Sequence, residues 1–196
     1  MSQAADPQRV RAAFEANGAL LSGHFLLSSG LHSQRYLQCA LVLSDPPTAS
    51  WLGAELAAAV RTAGISANVV VSPALGGLFI GQEVARALGL RHLFSERDNG
   101  VMTLRRGFSI AAGSRALIVE DVVTTGKSSS EVVQLVRGHG GIVAGLASIV
   151  DRGAPDLGLP QLSLLRLEIP AFKPEDCPLC KQGLPFVKPG SRKHKP

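Results

Sequence analysis

Aromatic residues are scarce in this chain: they make up 5% of its 196 positions, with one tryptophan and one tyrosine. So little flat surface is available for stacking on bases, which argues against a groove for single-stranded nucleic acid. Cysteine is almost as rare. Cys39, Cys177 and Cys180 are the whole complement, and an odd number in such a chain argues against a disulfide framework. No apolar run approaches the roughly 18 residues that mark a membrane span. The opening MSQAADPQRV is polar and lacks the hydrophobic segment of a secretory signal. Together these absences point to a cytoplasmic protein.

Hydrophobic residues reach 45%, enough for the core of one α/β domain with a small appendage. The net charge is +5, but Lys181, Lys188, Arg192, Lys193 and Lys195 crowd the tail and the remainder is nearly balanced. A cationic site for an anionic substrate accounts for the remaining bias at least as well as nucleic acid does. Cys177-Pro178-Leu179-Cys180 is a lone CxxC. It reads as a reduced tail loop, with half of a zinc site as the alternative; no second CxxC exists and His194 is the only histidine after it.

Periodicity and turn residues predict a helix over 7–17, strands over 20–27 and 35–43, and a helix over 48–63 opened by Asp45-Pro46-Pro47. Strands and helices then alternate: strand 68–72, helix 78–88, strand 91–94, strand 115–119, helix 128–138, strand 142–150 and strand 162–169. Such alternation implies right-handed crossovers and a parallel sheet covered by helices on both faces. Ligands of such sheets bind beyond the carboxyl ends of the strands. The turns 73–77, 120–128 and 151–153 all fall there. Between strands 91–94 and 115–119 lies SERDNGVMTLRRG (95–107), whose Asn99-Gly100 is a hairpin signal. It carries Glu96, Arg97, Asp98, Arg105 and Arg106, as a mobile lid beside a site for anions would.

The richest stretch is ALIVEDVVTTGKS, 116–128. A short branched apolar run reads as a buried strand. It ends in Glu120 and Asp121, and Ser128 with Glu131 has the spacing of a capping box opening a helix. A helix N-terminus favours phosphate, Thr124, Thr125 and Ser128 add hydroxyl donors, and Gly126 lets backbone approach closely. Two carboxylates above such a cradle suit the vicinal hydroxyls of a sugar, directly or through a hard divalent cation. The pattern is not a nucleoside-triphosphatase loop, because Asp121 occupies the place of the first glycine in G-x-x-x-x-G-K-[ST].

VEDVVTTGKS resembles the phosphoribosyl-pyrophosphate (PRPP) motif of the type I phosphoribosyltransferases. GHFLLSSGLHSQRY (23–36) is similar to the N-terminal hood of the orotate phosphoribosyltransferases among them. ERDNGVMTLRRGF and CPLCKQGLPFVKPGSR resemble the lid and tail of one bacterial and archaeal branch. The resemblance implies a single domain with a hood (1–45), an α/β core (46–170) with its lid (95–107), and a tail (171–196). It implies transfer of ribose 5-phosphate from PRPP to orotate in pyrimidine (UMP) biosynthesis, with Mg²⁺ carried mainly by PRPP rather than by a protein metal site. Arg97, with Arg105 and Arg106, is implied on pyrophosphate. Glu120 and Asp121 take the ribose and its developing charge, and Val122, Val123, Thr124, Thr125, Gly126, Lys127 and Ser128 form the 5′-phosphate loop. Arg152 and Thr124 are implied on orotate, with Tyr36 and Leu37 lining the base pocket. A homodimer, each lid serving its neighbour's site, is also implied. The chain departs from the better-known pattern at Ser28 (lysine there), at Leu75-Gly76 (Tyr-Lys there), and in a lid without lysine or histidine; Arg97, Arg105, Arg106 or His32 are the cations at hand. The rival readings are a phosphoribosyltransferase for another base, and a catalytically weak nucleotide- or RNA-binding regulator on the same fold.

Overall fold

Asp6 starts the first helix. Its side chain accepts from the Gln8 N–H, and Pro7 takes the first helical position, where a missing N–H is harmless. The structure, a computed structural model, describes residues 6–27 and 29–189; Ser28 and the tail positions 190–196, with Arg192, Lys193, His194 and Lys195, lie outside the described residues. Helix α1 (Pro7–Ala16) buries Val10 and Phe14. Strands β1 (Leu20–Leu26) and β2 (His32–Leu37) pair antiparallel. The second strand does not run over 35–43 as its apolar content suggested. After Leu37 the chain turns into a short helix, α2 (Cys39–Leu43), which buries Cys39, Val42 and Leu43. Those three positions lie on one helical face, and a short apolar run cannot by itself distinguish helix from strand.

Helix α3 (Pro46–Thr62) is capped by Asp45, whose carboxylate accepts from the Thr48 N–H at 3.2 Å. There follow β3 (Val69–Pro73), α4 (Gly77–Leu88), β4 (Arg91–Asp98), β5 (Val101–Leu104), β6 (Arg115–Val123), α5 (Lys127–Gly138), β7 (Ile142–Asp151), β8 (Gln161–Arg166), β9 (Ala171–Phe172) and α6 (Pro178–Lys181). The central six-stranded sheet has the order β5-β4-β3-β6-β7-β8. It is mixed rather than purely parallel, because β4 runs past Phe94 to Asp98 and turns back antiparallel as β5. The lid is thus a continuation of the sheet edge. A smaller sheet, β1-β2-β9, carries the hood.

Side chains of β6 alternate between two cores, as the pleat requires. Leu117 and Val119 pack with Leu52, Leu56, Ile80 and Val84 of α3 and α4. Ala116 and Ile118 pack with Val132 and Val136 of α5 on the other face. The chain leaves β3 toward β4 and returns to β6 on the other side, so β3 and β6 flank the point where strand order reverses. That crevice is where open α/β sheets bind ligands. No helix among the described residues is long and apolar enough to cross a membrane.

Candidate active site

Strand β6 extends through the acid pair, farther than the apolar run alone indicated, with Glu120 opposite Ser148 and Val123 opposite Asp151 of β7. Glu120 is buried, and Ser129 Oγ donates to its Oε1 at 2.5 Å. Burial raises its pKa to about 7 against the ordinary 4.5; the Ser129 bond opposes that shift and the charge of Asp121 adds to it. Asp121 is also pushed up by burial, although its Oδ1 accepts from the Val122 N–H at 2.8 Å. The Cys39 thiol lies near Asp121, whose charge joins burial in raising its pKa. Sequence alone offered no signal for Cys39, since only the turn after β2 brings it here.

The β3–α4 turn closes on the same acid. A Cβ on Gly76 would stand 2.7 Å from Asp121 Oδ1 and 2.8 Å from Oδ2, so no side chain is possible there without moving the carboxylate. The turn also leaves Leu75 at 79% and Phe79 at 63% exposure, an apolar surface beside the site.

Beyond β6 the phosphate loop forms, but not with a capping box. Gly126, at φ +69°, precedes helix α5, which starts at Lys127 without a side-chain cap. Ser128 is therefore already inside the first turn, and Glu131 turns away to pair with Arg97. Leaving the cap open keeps the first-turn N–H groups available for an anion. They face a small cavity of about 60 Å³ lined by Glu120 and residues 122–129. Thr124, Thr125 and Lys127 are exposed around it, while Val123 and Gly126 are buried. Alanine at 126 would combine the left-handed φ with a Cβ 3.1 Å from Pro155.

Arg152 follows β7. Asp151 Oδ1 shapes its turn by accepting from the Gly153 and Ala154 N–H groups at 2.8 and 2.7 Å, and the Arg152 N–H donates to the Val123 carbonyl at 2.9 Å. The guanidinium is half-buried, with its Nε fully enclosed and without a hydrogen-bond partner among the described residues, and burial lowers its pKa. Its charge acts on Cys39, which places Arg152, Cys39 and Asp121 in one neighbourhood. Tyr36 and Leu37 end β2 just before Cys39, within about 12 Å of it by chain reach. Tyr36 lies 5.8 Å from the Phe25 ring, and Leu37 packs on the main core.

The lid cations are held in other contacts. Arg97 donates to the Gly100 carbonyl at 3.1 Å and pairs with Glu131. Arg106 forms a two-pronged bond to Glu96 at 2.8 and 2.9 Å and stands over the Phe94 ring. Arg105 makes no ion pair among the described residues. The structure thus gathers the acid pair, the loop 122–128, Gly76 and Arg152, and keeps Arg97 on Glu131 of α5 and Arg106 on Glu96 of the lid.

An acid pair at the end of a switch-point strand, followed by a hydroxyl-lined loop and an uncapped helix, is the arrangement that the resemblance to the type I phosphoribosyltransferases implies. A phosphoribosyl transferase domain matches residues 47–157. The orotate phosphoribosyltransferase of Pelotomaculum thermopropionicum is 59% identical over 186 residues, covering 94% of this chain and 97% of that protein. Among solved structures, the orotate phosphoribosyltransferase of Aeropyrum pernix superposes with a TM-score of 0.69 at 24% identity, over 81% of this chain and 94% of that one. The Mycobacterium tuberculosis orotate phosphoribosyltransferase in complex with inorganic phosphate gives 0.65 at 26% identity, over 83% and 97%. The chain belongs to the orotate phosphoribosyltransferase family.

Proposed function

We propose that this chain transfers ribose 5-phosphate from PRPP to orotate, giving orotidine 5′-monophosphate and pyrophosphate for UMP synthesis. The observation that carries the base assignment is Arg152: a guanidinium whose enclosed Nε has no partner among the described residues, set beside the acid pair, awaits a carboxylate. Adenine and other bases without a carboxylate have no use for it. The regulator reading is disfavoured by the intact acid pair and loop.

As pyrophosphate departs, the anomeric carbon gains oxocarbenium character, and catalysis depends on charge placed in advance. Glu120 and Asp121 hold the ribose hydroxyls and face the developing positive charge. Thr124, Thr125, Gly126, Lys127 and Ser128 hold the 5′-phosphate with Val122 and Val123 as the loop's backbone. Arg97 and Arg106 leave their present partners and, with Arg105, meet pyrophosphate and exclude water. The acid pair offers the hard oxygens that suit Mg²⁺ bound with PRPP, and the ion when bound supplies neutralising charge at the leaving group. The test follows orotate absorbance with purified protein: loss that requires both PRPP and Mg²⁺ supports the reading, and no turnover overturns it.

Glu120 sets a pH dependence. Its folded pKa is raised, so the stability of its protonated form is full below 4.5 and is lost as pH climbs through about 7. Binding the ribose requires the carboxylate, so kcat/KM for PRPP is expected to rise over that same window. Ser129→Ala removes the bond that holds the pKa down. It should move the rising limb upward by about one pH unit, worth about 1.4 kcal/mol. A limb that stays in place would remove Glu120 from the role.

The exposed Leu75 and Phe79 beside the site support a homodimer, and unbridged cysteines suit the cytoplasm. If lids serve neighbouring sites, mixing Arg97→Ala with Asp121→Asn chains should restore about a quarter of wild-type activity through hybrids with one intact site. Mixed samples as dead as the parents would show that each lid serves its own chain.

A further inference from the structure

The CxxC of the tail finds the other half of a metal site in the hood. His24 of β1, His32 of β2, and Cys177 and Cys180 around the start of α6 place one ligand atom each within 4.8 Å of one another. The individual separations are 2.7 Å for His24 Nε2 to His32 Nδ1, 3.4 Å for Cys177 Sγ to His24 Nε2, 3.6 Å for Cys180 Sγ to His24 Nε2, and 3.2 Å for Cys180 Sγ to His32 Nδ1. Zinc bonds of about 2.0–2.1 Å to nitrogen and 2.3 Å to sulfur put tetrahedral edges at about 3.3–3.8 Å. Four of the six edges thus lie at or somewhat below the tetrahedral spacing, and the two from Cys177 to Cys180 and to His32 lie within 4.8 Å, a set that small side-chain adjustments bring onto one ion.

We propose that His24, His32, Cys177 and Cys180 bind one structural Zn²⁺ that fastens the tail to the hood. The orientation of His24 supports a ligand role. Its Nδ1 lies 2.8 Å from the Leu184 carbonyl, so that nitrogen carries the proton and Nε2 presents its lone pair to the cluster. A backbone carbonyl fixing the tautomer in this way is a usual partner of metal-bound histidine. Two imidazoles meeting edge to face with nitrogens at 2.7 Å, beside two sulfurs, form a soft, borderline donor set that selects zinc over magnesium or calcium. His24 and His32 are 5% and 3% exposed, Cys177 is wholly buried and Cys180 is part-buried, and four protein ligands complete a tetrahedral shell with no position for a reacting water. The site is of the structural kind.

The architecture gives the ion a task. Helix α6 has four residues and buries none of its own, too short to hold shape alone. Around it the tail meets the hood through thin pairings: β9 with β2 at His32 and Ser33, and Val187 bridging His24 and Leu26 with bonds of 2.8 and 2.9 Å. Leu184, Phe186 and Val187 remain exposed, so apolar burial contributes little there. A metal bond joining positions about 150 apart in sequence supplies what that packing lacks. Through β2 it also steadies the strand that leads to Tyr36, Leu37 and Cys39.

Metal analysis of the full chain, purified without chelator or histidine tag, is expected to give about one zinc per chain. Replacing zinc by Co²⁺ should produce the intense visible bands of tetrahedral cobalt and a sulfur-to-cobalt charge-transfer band in the near ultraviolet. Cys177→Ser with Cys180→Ser should lower zinc at least tenfold, whereas His139→Gln, an exposed histidine outside the cluster, should retain it. If the double variant does not fold, the cobalt spectrum of the wild-type chain decides. A chain that takes up less than a tenth of an equivalent of Zn²⁺ after incubation, a cobalt spectrum without thiolate bands, or a double variant with undiminished zinc would each overturn the site. Orotate turnover does not enter these readings, so they stand apart from the function proposed above.

Discussion

Arg152→Ala is expected to lower kcat/KM for orotate by two to three orders of magnitude while leaving the affinity for PRPP nearly unchanged. The reason is an asymmetry of burial. Nε of Arg152 is enclosed and has no hydrogen-bond partner among the described residues, so that part of the half-buried guanidinium has lost hydration that a ligand would restore. Removing one member of a desolvated charge pair costs about 2–5 kcal/mol, and each 1.4 kcal/mol is a factor of ten. Lysine should recover little of the loss, because a point charge does not reproduce the planar fork that meets a carboxylate in two places. Initial rates against orotate at saturating PRPP check the expectation. A variant that lost PRPP affinity to the same degree would show that Arg152 serves the whole site and not the base.

The second large effect is expected at Gly76. Its backbone is helical, at φ −57° and ψ −43°, so alanine meets no conformational penalty there. The added Cβ would nonetheless stand 2.7–2.9 Å from the Asp121 carboxylate atoms. Asp121 is the smaller and more mobile of the two parties, and it will move. A displacement near 1 Å in a positioned group costs about a hundredfold in rate. Gly76→Ala should therefore lose about that factor in kcat/KM for PRPP with little change in Tm, a combination that separates site damage from unfolding. Gly76→Lys, which restores the residue of the better-known family pattern, should for the same reason lower activity and not raise it. Unchanged kinetics in Gly76→Ala would show that Asp121 does not need its present position.

Much of this molecule was legible in local sequence. The run Ala116–Val119 is branched, apolar and bounded by acids, and it became the central strand with its side chains split between two cores. Asn99-Gly100 marked a hairpin, and β4 and β5 pair across it. Local reading failed where two conformations bury the same residues or where a pattern slips by one position. CALVL satisfies a helical face as well as a strand, and only packing chose. Ser128 and Glu131 have capping-box spacing, yet the left-handed Gly126 opens the helix one residue early. Ser129, outside the predicted contacts, then receives the task of bonding Glu120.

By itself the sequence determined the class of site. A strand ending in Glu120-Asp121, a Thr-Thr-Gly loop and a following helix are contiguous, and contiguous residues are positioned by local backbone geometry. Tertiary structure decided everything that depends on residues far apart meeting. Gly76 and Cys39 were brought to Asp121, Arg152 was left with an enclosed Nε, the lid arginines were tied to Glu96 and Glu131, and two histidines of the hood were set against two cysteines of the tail. No spacing rule encodes those encounters, because they are settled by the order of strands in a sheet and by which surfaces the core must bury.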